Sequence, residues 1–178
     1  MMMQILEAGG MELLVDQVRP ADEDNLRGYY EFESVKQLRW NFSWLDRAEG
    51  KAVKIICPLI GFLPPTRSYR VIFMNRRMTE IMASQTRMLE RAGRRVDPAD
   101  NAALAAVFER QIHEAQTWLF RQPNIRLLNL HYQEVITNPP DRIRRVNEFL
   151  GGRLSAPDMI RAVDPKLYRQ RHRPDAGE

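Results

Sequence analysis

Paired cysteines, long apolar runs and a glycine-rich phosphate loop are all missing from these 178 residues, and each absence closes off a class of protein. A single cysteine, Cys57, rules out an internal disulfide and fits a reducing compartment. It lies in an apolar run with nothing adjacent to lower its pKa, so a packed core thiol is expected rather than a nucleophile. No apolar stretch approaches the roughly 18 residues that a membrane span requires. The opening MMMQILEAGG has neither the basic segment nor the long apolar core of a signal peptide, and the expected location is cytoplasmic. His113 sits among polar neighbours with no second ligand at metal spacing, so no metal is expected. Internal repeats and low-complexity tracts are also lacking.

What is present is globular. A chain that is 44% hydrophobic can bury one core, which predicts a single domain over residues 1–168 and a polar tail over 169–178. The formal net charge of +4 favours anionic partners, among them nucleotides, nucleic acid and acidic glycans.

The stretch from Tyr69 to Gly93, YRVIFMNRRMTEIMASQTRMLERAG, organises the rest. Val71 to Met74 is a continuous apolar run, which suits a strand covered on both faces in a parallel sheet. Asn75, Arg76 and Arg77 break it. From Met78 apolar residues recur at helical spacing until Gly93, the expected terminator. Two guanidinium groups therefore fall at the carboxyl end of a strand and the start of a helix, where anions collect in open α/β sheets.

In chain order, a short helix over Met1 to Ala8 is expected, then a strand at Glu12 to Asp16. An acidic cluster at Asp22, Glu23 and Asp24 leads to the run Gly28, Tyr29, Tyr30 and Glu31. A helix with Val35, Leu38, Phe42 and Leu45 on one face should carry Trp40 and Trp44 as further core, and end by Gly50. Ala52 to Cys57 reads as a buried strand containing Lys54. Asp97 and Pro98 should cap and start a long helix to about Phe120. Ile125 to Leu130 is the last strand. Asn138 and Pro139 start a helix ended by Gly151, and Ser155 starts a final short one. The implied class is α/β, with a parallel central sheet flanked by helices.

Arg76 followed eight residues later by Ser84 is an R-x7-S pattern at the end of a parallel strand. It resembles the 3'-phosphate-binding element of sulfotransferases that use 3'-phosphoadenosine 5'-phosphosulfate. ADEDNLRGYYEFESVKQL, GKAVKII, the LNLHYQEVITNPPDRIRRVNEFLGG block and the late LYRQR follow in the order of a bacterial sulfotransferase-like domain. The resemblance covers nearly the whole chain. It implies a three-layer P-loop-type fold and sulfuryl transfer from that nucleotide co-substrate to a hydroxyl or amine acceptor, with no metal.

Residue by residue, the resemblance implies that Arg76 and Ser84 bind the 3'-phosphate and that Tyr132 lies near the adenine. Arg169 and Arg171 would close over the 3'-phosphate, and Lys54 would approach the sulfuryl group. A general base is also needed, and a carboxylate can serve. Glu31, closing the GYYE run on the side expected to face the acceptor, ranks ahead of Glu33. The family's first strand and 5'-phosphosulfate loop have no counterpart ahead of Met1, and no P-loop or P-R-S-G-T-like segment replaces them. The expectation is a chain that is N-terminally truncated: either catalytic when its true N-terminus is present or an inactive remnant as written, with uncovered sheet edges that leave it poorly stable or self-associating.

A second reading is a non-catalytic basic α/β module for an acidic partner, either glycan or nucleic acid. Against nucleic acid, the basic residues are spread over many helices without a recognised motif. Neither reading identifies the acceptor.

Overall fold

The computed structural model describes residues 1–16, 18, 28–91, 93 and 97–164. Strand β1 (Tyr69–Asn75) pairs in parallel with β2 (Ile125–His131), residue for residue from Tyr69 with Ile125 to Asn75 with His131. Around this two-stranded sheet the helices follow in order: α1 (Met2–Ala8), α2 (Cys57–Ile60), α3 (Met78–Arg91), α4 (Pro98–Arg121), α5 (Tyr132–Thr137), α6 (Pro139–Leu150) and α7 (Ala156–Arg161). The class is α/β, as expected.

Strand periodicity explains how one short sheet divides two cores. Successive side chains point to opposite faces. Tyr69, Val71 and Phe73 of β1 join Trp44, Leu38 and Leu119 on one face. Ile72 and Met74 join Ile5, Ile143, Val146 and Met159 on the other. β2 divides likewise, with Ile125 and Leu127 on the first face and Leu128 and Leu130 on the second. Leu38, Leu119, Ile143 and Met159 are almost wholly buried. Each such side chain contributes about 1.5–3 kcal/mol relative to leaving it in water.

Capping chemistry sets the helix ends. Asp97 accepts a hydrogen bond from the Ala99 amide at 2.8 Å, with Pro98 at the first position of α4. α6 ends at Gly151, whose φ of 105° only glycine adopts readily. The Gly152 N–H then donates to the Asn147 carbonyl at 2.8 Å, satisfying an otherwise orphaned acceptor. The Asn147 side chain also exchanges two 3.0 Å bonds with the Leu154 backbone, which folds α7 back against α6.

Three expectations need correction. The helix expected across Val35 to Leu45 is two separate 3-10 segments, Glu33–Gln37 and Ser43–Ala48. The cause is Asn41, whose side-chain oxygen accepts from the Ser43 amide at 3.1 Å and its hydroxyl at 2.9 Å, a local turn that competes with the helix ladder. With the helix broken, Trp44 enters the core while Trp40, expected beside it, is 70% exposed. The strands expected at Glu12 to Asp16 and Ala52 to Cys57 meet only at a parallel bridge between Leu13 and Ala52, and Cys57 already begins α2.

Candidate functional site

The site begins where β1 ends. Asn75 accepts a hydrogen bond from Gln116 of α4 at 2.8 Å, which fixes the strand end against the flanking helix. The parallel register pairs Asn75 with His131, so the residue that follows each strand, Arg76 and Tyr132, emerges at the same end of the sheet. The Arg76 guanidinium carbon lies 5.1 Å from the Tyr132 ring centroid, in cation–π range. Its Nε donates to Glu80 Oε2 at 3.1 Å, in the first turn of α3. Glu80 is 3% exposed and Arg76 26%, so a buried carboxylate holds a guanidinium that still meets solvent.

Tyr132 responds to both neighbours. Burial pushes its hydroxyl pKa above the usual range; the Arg76 charge opposes that rise and the Glu80 charge adds to it.

A second pair forms around Lys54. Lys54 Nζ donates to the Tyr29 carbonyl at 3.0 Å and to Glu31 Oε1 at 3.2 Å. The GYYE run makes this possible through its backbone: Gly28 has φ 81° and Tyr30 has φ 51°, the left-handed region that non-glycine residues avoid. That turn directs Tyr30 away, its hydroxyl donating to Glu7 of α1 at 3.0 Å, and leaves Tyr29 and Glu31 on Lys54. Glu33 instead accepts from Lys36 at 2.8 Å on the surface.

Tyr29, Lys54 and Tyr132 all line one cleft of about 1520 Å³. The structure thus brings together Lys54 with Glu31, and Arg76 with Tyr132, and Lys54 and Tyr132 line the same hollow. Ser84 is not drawn into either group; it is exposed on α3, two turns beyond Arg76. Arg169 and Arg171 lie outside the described residues. Glu80 is the member that sequence reasoning missed, although its four-residue offset from Arg76 on a helical segment was a usable signal. Among the described residues, no three His, Cys, Asp or Glu side chains gather as metal ligands, and no helix is long and apolar enough to cross a membrane.

The family model of the sulfotransferase domain matches residues 66–171. The chain belongs to the sulfotransferase family. No curated protein and no solved structure matches it. The sulfotransferase match opens just before β1 and takes in Arg76, Glu80, Ser84 and Tyr132, so the strand-end cluster is part of the sulfotransferase domain itself. Glu31 and Lys54 precede the matched residues.

Proposed function

We propose that this sulfotransferase-family chain binds 3'-phosphoadenosine 5'-phosphosulfate and serves sulfuryl transfer to a hydroxyl or amine acceptor. The observation that carries the reading is the cluster of Arg76, Glu80 and Tyr132 at the carboxyl end of β1, inside the sulfotransferase match. A planar guanidinium forks onto phosphate oxygens more favourably than an ammonium does. Arg76 takes the 3'-phosphate, Ser84 adds a hydrogen bond after a rotation or shift of its helix, and Tyr132 lies beside the adenine.

In the transfer, the acceptor atom forms a bond to sulfur as the bond between sulfur and the 5'-phosphate oxygen breaks. Adenosine 3',5'-bisphosphate is the leaving group. Lys54 offsets charge growing on the bridging oxygen, and Glu31 takes the acceptor proton. Their ion pair at 3.2 Å holds Glu31 against Lys54, which lines the cleft, and must open for each to act.

The residues fit the two ends of the co-substrate unequally. A cation and a ring suit the 3'-phosphoadenosine end, whereas the sequence holds no glycine-rich loop to wrap the 5'-phosphosulfate. The same lack favours the second reading, a non-catalytic module for an acidic glycan or nucleic acid, which would show steep salt dependence and no nucleotide preference.

Titration calorimetry with adenosine 3',5'-bisphosphate tests the assignment. Arg76→Ala should weaken binding by about 10- to 100-fold, the worth of a hydrogen-bonded charge, and Arg76→Lys should restore only part of it. Unchanged affinity in Arg76→Ala would remove Arg76 from the phosphate site.

A further inference from the structure

The sheet carries a second pair of basic side chains, at the end opposite Arg76. Arg70 of β1 and Arg126 of β2 are register partners. Paired strands lie about 4.8 Å apart and register partners share a face, so the two guanidinium groups leave the same side of the sheet next to one another. Like charges set side by side on neighbouring strands destabilise a sheet unless an opposite charge lies between them. Here the protein supplies none. Both side chains are exposed, and among the described residues neither has a carboxylate within 4.0 Å.

The end of α6 holds the two groups in place. Arg70 Nη1 donates to the Leu150 carbonyl at 3.2 Å, and the Arg126 guanidinium carbon lies 5.9 Å from the Phe149 ring centroid. A helix C-terminus thus anchors one arginine and a ring face the other. These contacts occupy one N–H of Arg70 and none of Arg126, although each guanidinium carries a full fork of donors. Glu148, the acid in the last turn of α6, forms no ion pair with either. Arg145, one turn before Phe149 on the same stripe of α6, is exposed and adds a further positive charge nearby.

The geometry points to an anion site at the amino end of the sheet, where Arg70 and Arg126 together take one tetrahedral oxyanion, a phosphate or sulfate group, free or carried as an ester. Two adjacent planar forks present N–H donors to several oxygens of one such group. Its charge offsets both guanidinium groups at once and removes their repulsion. Roughly 20 Å of strand separates Arg70 from Arg76, so this site is distinct from the strand-end cluster and stands whether or not Arg76 binds a nucleotide.

The probes are inorganic phosphate, inorganic sulfate and glucose 6-phosphate, each titrated into the full chain at constant ionic strength with chloride as the balancing ion. Phosphate should move the Arg126 Nε–Hε signal in NMR and saturate it near about 1 mM. At ten times that concentration the melting midpoint should rise by about 3 °C. Arg126→Gln should show the opposite balance: a midpoint about 1–2 °C higher in chloride, because the repulsion is gone, and no rise with phosphate. Arg126→Lys, which keeps the charge without the fork, should retain part of the response. In Arg76→Ala the response should persist in full. Binding of the ester about 10-fold tighter than the inorganic ions would assign the site to an esterified group, and equal binding to the free ion; both keep the site. A response that survives Arg126→Gln, or that is lost in Arg76→Ala, would place the anion elsewhere and overturn the inference. So would an equal loss in Arg110→Gln, an exposed arginine of α4 on the opposite face of the sheet, since the effect would then be general charge screening.

Discussion

Arg76 lies between two partners of different kinds, a ring and a carboxylate: Tyr132 stacks 5.1 Å from its guanidinium carbon, and Glu80 accepts from its Nε at 3.1 Å. The ring comes from the first residue of α5, directly after β2, and the carboxylate from α3, so the guanidinium is fixed by two elements that follow the paired strands.

Glu80 is the buried half of that arrangement, and removing its charge should be felt. Glu80→Gln keeps the volume but leaves Arg76 without its carboxylate. A loss of about 1–3 kcal/mol in urea denaturation is expected, below the cost of breaking a fully buried pair because Arg76 meets solvent. A loss near zero would mean that the pair contributes nothing to the fold.

Tyr132 gives a spectroscopic handle on the same cluster. Its folded pKa is raised above the ordinary value of 10.0, chiefly by burial, so the folded state holds this proton more tightly than the unfolded state does. The associated stability is complete below about pH 10 and is lost as pH rises through the folded pKa. In a difference titration of phenolate absorbance against Tyr132→Phe, the Tyr132 component should appear above the ordinary range. Arg76→Ala removes the charge that opposes the rise and should move it higher still.

Gly9 and Met159 are packed so closely that a methyl group cannot be added between them. A Cβ on Gly9 would lie 2.5 Å from Met159 Cγ, although the backbone φ of −74° suits any residue. Gly9→Ala should cost about 1–3 kcal/mol through overpacking against the fully buried Met159. In a double-mutant cycle, Met159→Ala should absorb part of that cost, with a coupling above about 0.5 kcal/mol; simple additivity would show that the contact is not limiting.

The elements that could be read from the sequence are those with local causes. A continuous apolar run marked β1, Asp97 with Pro98 marked the start of α4, and Gly151 marked the end of α6. The broken helix after Glu33 was not legible, because Asn41 fits a helical register until its side chain is seen bonding to Ser43. Trp40 and Trp44 share a stripe only if that helix is continuous. The sequence also placed Arg76 at a strand end, but its contact with Tyr132 depends on the register of β1 and β2, a long-range fact that no local pattern encodes. Lys54 and Glu31 were proposed separately, and their ion pair depends on the left-handed Tyr30.

The most direct measurement is the affinity of the chain for adenosine 3',5'-bisphosphate beside adenosine 5'-monophosphate, by titration calorimetry at one fixed salt concentration. If Arg76 is a 3'-phosphate site, the bisphosphate binds at least about 10-fold more tightly, and Arg76→Ala abolishes the difference. Equal affinity for the two nucleotides would contradict it.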